Sequence, residues 1–272
     1  GGDITADLGG DNNNVSLTNN VLLSGGVTIT TTSGNDVIDL SGVDGYLTLS
    51  LGAGDNTVIV DALVGDLNLT TGGNVDDVTL TDIGGDSILD LGDGDNILSF
   101  INTLASGGLS LTVGTGSDTV TLNNVAGHAS DTVILNVGAG DNTITAKTIV
   151  GDLDVTGTDG VDDLRLTDIG GTITADLGAA NNKVLLTNTL LQSDEVTITA
   201  TSGVDDIDLS GIEGKLTMSL GGGNNVVVVD AVTGDLGLTA ASGIDGVTLT
   251  NITGNTTLGL GDGNNTVSLI NI

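Results

Sequence analysis

Leu47, Leu49 and Leu51 alternate with Thr48 and Ser50, the period of two expected of a strand with one buried face. Gly52-Ala53-Gly54-Asp55-Asn56 follows, a turn in which glycine can take positive φ and Asx side chains can bond nearby backbone. Val58 and Val60 then resume the period of two, and a second corner of the type Leu80-Thr81-Asp82-Ile83-Gly84-Gly85 closes the unit. The unit recurs thirteen times, beginning near Gly1, Gly25, Gly45, Gly65, Gly85, Gly107, Asp131, Gly151, Gly171, Asp194, Gly214, Gly234 and Gly254, and most copies are 20 residues long. Extra residues fall at the second corner, at 20–24, 104–106, 127–130 and 190–193.

A longer period lies above the coil. Ile4-Thr-Ala-Asp-Leu-Gly9 returns as Ile173-Thr-Ala-Asp-Leu-Gly178, and Gly65-Asp-Leu-Asn-Leu-Thr70 returns at Gly151 and Gly234. The spacing describes superunits of four coils over about 1–84, 85–170 and 171–253, with a partial one at 254–272. Units of this length, with two or three short strands, cannot bury a face alone and must stack, while propeller blades need about 40 residues. The pattern therefore predicts an all-β fold: one continuous parallel β-solenoid over 1–272, of about thirteen coils of roughly 20 residues. Coils stacked at roughly 4.8 Å would make a rod on the order of 60 Å long. Its interior would be ladders of Leu, Val and Ile, among them Leu49, Leu69, Leu111, Leu135, Val155 and Leu216. The periodicity leaves handedness open.

Composition agrees. Proline is absent, so every N–H is free to join a ladder. Tyr46 and Phe100 are the only aromatics, and the apolar material is otherwise aliphatic, which suits many thin, similar layers. Without cysteine there is neither a disulfide framework nor a thiolate metal site. No run of about 18 apolar residues is present, so no helical membrane span is expected.

The 36 acidic and 4 basic residues give a net charge of −32. Such a field repels nucleic acids and anionic membranes and makes divalent cations the natural partners. Only Glu195 and Glu213 are glutamates; the rest of the acid is Asp, whose short carboxylate suits turns. Lys147, Arg165, Lys183 and Lys215 read as solvated outer-face residues.

Alignment of the copies stacks one turn position into a column: Asn13, Asp36, Asn56, Asp76, Asn96, Asp118, Asn142, Asp162, Asn182, Asp205, Asn225, Asp245 and Asn265. Asn and Asp alternate without a break. Stacked asparagines form amide ladders. A column of aspartates alone would repel by about 1 kcal/mol per neighbour in water, and alternation separates the carboxylates by about 9.6 Å, close to a Debye length. Each carboxylate is then expected to accept from the amides above and below.

Gly52-Ala-Gly-Asp-Asn-Thr-Val58 and Gly114-Thr-Gly-Ser-Asp-Thr-Val120 resemble the RTX (haemolysin-type) nonapeptide repeat, and the chain as a whole resembles bacterial extracellular β-solenoids of surface fibres and adhesins. The RTX resemblance implies calcium bound by loop carbonyls and turn carboxylates, with folding on binding. Asp36, Asp76, Asp118, Asp162, Asp205 and Asp245 would lead as ligands, assisted by Asp55, Asp77, Asp95, Asp141, Asp163 and Asp206. The coils depart from that family in carrying one such turn each and in having Asn in half the column.

Enzyme chemistry has little to work with. His128 is the only histidine, and paired carboxylates such as Asp76/Asp77 recur with the repeat, whereas an active site is normally built once. An ice-binding face is disfavoured because only Gly114-Thr115-Gly116 keeps a threonine between the turn glycines. The expectation is a non-enzymatic structural rod at the bacterial cell surface or outside the cell. Neither Gly1-Gly2-Asp3 nor Leu269-Ile270-Asn271-Ile272 reads as a polar cap, so neighbouring copies or flanking coils are expected to stack on the ends.

Overall fold

The computed structural model describes residues 2–23, 25–102, 107–190 and 193–272. Of the predicted insertions, residues 104–106 lie outside the described residues, as do Ser24 and residues 191–192. Among the described residues the secondary structure is entirely β. Two parallel sheets of 13 strands each run the length of the chain, and successive strands alternate between them. Each coil therefore contributes two strands, one per sheet, and the predicted parallel β-solenoid is the fold.

Alternation decides which side chains point inward. In the strand Leu47–Ser50 the leucines are buried while Thr48 and Ser50 face out, and Thr57–Leu63 turns Val58 and Val60 to the interior. Register holds from coil to coil: Leu47 pairs with Leu67 and Leu67 with Ser87, while Val58 pairs with Val78 and Val78 with Leu98. The core is thus a set of aliphatic columns between the two sheets, including the six ladder positions named from the sequence. Phe100 is buried within it, and Tyr46 stands half exposed on the outside. The four basic side chains are exposed, as expected.

The second corner bends by a device the alternation does not show. Asp61 and Ala62 both face solvent, after which Leu63 returns to the core. The break is a left-handed residue, with Ala62 at φ 54°. Equivalent positions in other coils repeat it: Gly42, Asp82, Asn124, Thr148, Asp168, Gly211, Ala231 and Asn251 all have φ between 53° and 77°. Only two of these are glycine, so the others hold a conformation that costs an L-residue roughly 1 kcal/mol. At the first corner the left-handed rim is mostly glycine for a stronger reason. A Cβ on Gly54 (φ 135°) would stand 2.2 Å from the carbonyl oxygen of Gly34 in the preceding coil.

Candidate functional site

The first corner places the Asn/Asp column inside the rod. From Asp36 to Asp245 its members are no more than 1% exposed. Every junction from Asn13 to Asn265 is bridged at 2.8–3.1 Å, with the Oδ1 of one coil accepting from the column residue of the coil before it. The donor is the backbone N–H, and at Asn142 the side-chain amide also reaches Asp162, at 2.9 Å. The bonds all point the same way along the axis.

Asn and Asp fill this place differently. Asn56 Nδ2 donates to the carbonyls of Gly54 (2.9 Å) and Gly52 (3.3 Å) in its own turn and to Asp76 Oδ1 (2.8 Å) in the next coil. Asn142 does the same with Gly140, Val137 and Asp162. The aspartates accept through Oδ1 from the preceding coil, and at Asp76 the Thr71 hydroxyl of its own coil also stands within reach of the carboxyl. The expected acceptance from both sides is therefore replaced by a one-sided bond, because the following asparagine aims its amide hydrogens at its own turn and farther along the rod. Oδ2 of Asp36, Asp76, Asp118, Asp162, Asp205 and Asp245 is buried without a partner. Burial pushes the carboxyls of Asp118 and Asp162 up to about 6, and raises Asp76 and Asp205 in the same direction.

A second file lies just outside the column. Asp55, Asp95 and Asp141 are exposed and accept from the N–H of Val75 (3.2 Å), Ser117 (2.8 Å) and Val161 (2.8 Å) in the following coil. Asn35, Asn181 and Asn224 do likewise, so this outer file runs with polarity opposite to the inner one. Asp66, Asp86, Asp152 and Asp235 form a third file at the other end of the coil, again accepting from the next coil's N–H. The preference for Asp over Glu thus serves neighbouring coils, 20–23 residues away in sequence, more than the residue's own turn.

The twelve acidic residues named for calcium do not converge. Asp77, Asp163 and Asp206 begin the next strand on the outer face, and Asp163 pairs with Arg165 at 2.7 Å. Asp55, Asp95 and Asp141 sit on the rim, while the six column aspartates are sealed inside with Oδ1 already hydrogen-bonded. Among the described residues no group of three or more His, Cys, Asp or Glu is arranged to hold a metal ion. Calcium takes six to eight oxygens, several of them charged. Here the column offers one buried carboxylate per even coil, its Oδ1 already accepting, between asparagines whose Nδ2 hydrogens point at the carbonyls of their turns, a donor set that does not fit the ion.

His128 lies in an exposed turn held by its own atoms. Its Nδ1 is 2.9 Å from Ser130 Oγ and accepts from Ser130 N–H at 3.3 Å, and its N–H donates to Asp131 Oδ2 at 3.1 Å.

Two further asparagines carry structural roles that the sequence reading passed over. Where the strand Ile97–Ile101 ends early, buried Asn102 takes the place of a missing peptide: Oδ1 accepts from Ile83 N–H (3.0 Å) and Nδ2 donates to Ile83 C=O (3.2 Å). Asn188 treats Ile169 the same way, at 2.9 and 3.2 Å, and also reaches Ser193 Oγ and the Gly211 carbonyl. The signal available was the recurring Asn two residues after a buried Phe or Leu, at a corner about to lengthen. Known protein families, curated proteins and solved structures contain nothing that matches the chain.

Proposed function

We propose that the chain is a non-enzymatic rod element of a bacterial surface fibre, filament or adhesin stalk, working outside the cell. The observation that carries this reading is the continuity of the connection between coils. Two sheets and the inner Asn/Asp column link each coil to the next, two outer files add bridges at several junctions, and the chemistry repeats with the coil instead of gathering at one place. Pulled along its axis, such an element would have to break a whole coil's ladder at once. Its exposed carboxylates make a polyanionic surface that divalent cations screen. Its natural neighbours are further coils of the same repeat.

Two measurements test this together. Small-angle scattering should return a rod about thirteen coils long, and protease treatment of intact source cells should release peptides of this chain. Peptides recovered only after lysis would overturn the extracellular assignment, and substrate turnover by the pure protein would overturn the structural one.

A further inference from the structure

The buried oxygens left over in the turn column follow a rule. All six are Oδ2, one for each even-coil aspartate, and each is shut off from solvent with no hydrogen-bond partner. One coil away, the equivalent atom is the Nδ2 of asparagine. That atom donates to turn carbonyls two and five residues back, at 3.0 and 3.1 Å for Asn142 and at 3.3 and 3.4 Å for Asn182. In-register stacking carries the same place into the even coils. There an ionised Oδ2 has no hydrogen to give where Nδ2 would donate.

Local contacts agree. A Cβ built on Gly157, five residues before Asp162, would stand 2.3 Å from Asp162 Oδ2. Beside Asp76 the Thr71 hydroxyl lies within hydrogen-bonding reach of the carboxyl, and its one hydrogen is shared between that group and the Leu91 carbonyl at 2.8 Å. Oxygens held this way repel unless a hydrogen lies between them, and a buried charge without a partner is costly.

We propose that the Oδ2 atoms of Asp76, Asp118, Asp162 and Asp205 are proton-binding sites, each of these aspartates in the closed column being a neutral carboxylic acid whose Oδ2–H donates to a carbonyl of its own turn. The proton comes from solvent as the coil closes, one new O–H bond forms per site, and the acid then copies the asparagine of the next coil. This deepens no claim about the rod's location and stands apart from its mechanical role. The charged groups around the column favour the neutral form. Asp55 acts on Asp76, Asp95 on Asp118 and Asp141 on Asp162. Asp77, Asp163 and Asp206 adjoin their column neighbours in sequence. Against them stand Arg165, already paired with Asp163, and Lys183 on the outer face.

The sign follows from linkage. A carboxyl raised in the fold contributes stability that is complete below the unfolded value of about 3.9 and is lost as pH rises through the folded value. For Asp118 and Asp162 that loss runs from about 3.9 upward and is nearly complete once pH passes about 6. The rod is therefore expected to be more stable near pH 5 than near pH 7.5, the reverse of ordinary acid denaturation. Relief of the −32 net charge acts in the same sense, so a control must match charge.

The test is carbon-13 NMR of the intact chain with aspartate labelled at the carboxyl, at about pH 5, where an ordinary aspartate is ionised. Protonated carboxyl signals from the column are expected, and D118N with D162N should remove two of them. The same pair should reduce the fall in melting midpoint between pH 5 and 7.5, whereas D154N with D208N, which changes exposed outer-face residues, should leave that extra fall in place. Ionised column aspartates at pH 5 would overturn the proposal. So would a calcium-induced rise in midpoint at neutral pH, in EDTA-stripped protein, that D118N with D162N abolishes, because it would make Oδ2 a cation ligand. The wild-type spectrum decides the matter even if a variant fails to fold.

Discussion

At the first corner every coil turns a carboxyl or amide inward and a left-handed residue, usually glycine, onto the rim. At the second corner the inward residue is apolar, as with Leu63, Ile83, Ile149 and Ile169, and the left-handed residue is usually not glycine. The difference lies in how closely the coils approach. At the first corner a backbone carbonyl of the preceding coil occupies the space a Cβ would need, and the polar column bonds each coil to the next at fixed length. Nothing at that corner can be lengthened without breaking the column. The second corner meets its neighbour through packing and a few backbone bonds, so it admits extra residues. Where it does, the amide of Asn102 or Asn188 completes the ladder of the coil before.

This contrast can be broken from either side. Gly54→Ala should have the largest effect, at least about 3 kcal/mol of destabilisation, because Cβ would meet backbone at 2.2 Å and φ 135° excludes alanine. Chemical denaturation of the purified chain would measure it, and a cost under 1 kcal/mol would mean that the first corner is not sterically fixed. Asn188→Ala comes next. It leaves the N–H and C=O of buried Ile169 without their side-chain partner and should cost about 2 kcal/mol. Hydrogen exchange at the Ile169 amide should accelerate in this variant while Leu49 stays protected.

Ala62→Gly has the opposite sign. With φ 54°, relief of the left-handed strain should raise stability by up to about 1 kcal/mol, less the added freedom of the unfolded chain. If the midpoint falls instead, Ala62 contributes packing that outweighs its strain. The smallest effect sets the baseline. Gly237 lies on an outer sheet face with nothing within 4 Å of a Cβ, so Gly237→Ala should change stability by a few tenths of a kcal/mol, favourably. A large loss there would show that the outer face is not free surface.

The fold was legible because alternation and the 20-residue repeat report the same fact twice. The period of two sets which residues face in, and the repeat sets which residues stack. Leu49, Leu69 and Leu111 could therefore be placed in the core from spacing alone. The column was legible for the same reason, since Asn56, Asp76 and Asn96 occupy one position of the repeat. The left-handed backbone at Ala62 and Thr148 was not legible, because alanine and threonine carry no turn signal and the conformation is imposed by neighbours already stacked. Asn102 and Asn188 were missed because their partners, Ile83 and Ile169, lie 19 residues earlier.

What the sequence by itself determined is the period: two residues for the strand, about 20 for the coil, about 84 for the superunit, and with them a stacked all-β rod. What only the tertiary structure decided is how the polar side chains are used. Stacking turns a separation of 20 residues into roughly 4.8 Å, so the nearest partner of a side chain is a residue from another coil. Asp and Asn have nearly the same shape, and spacing cannot say which oxygen accepts, which is sealed from water, or which way the bonds run. Those choices follow from where neighbouring backbone N–H and C=O groups point once the coils have closed.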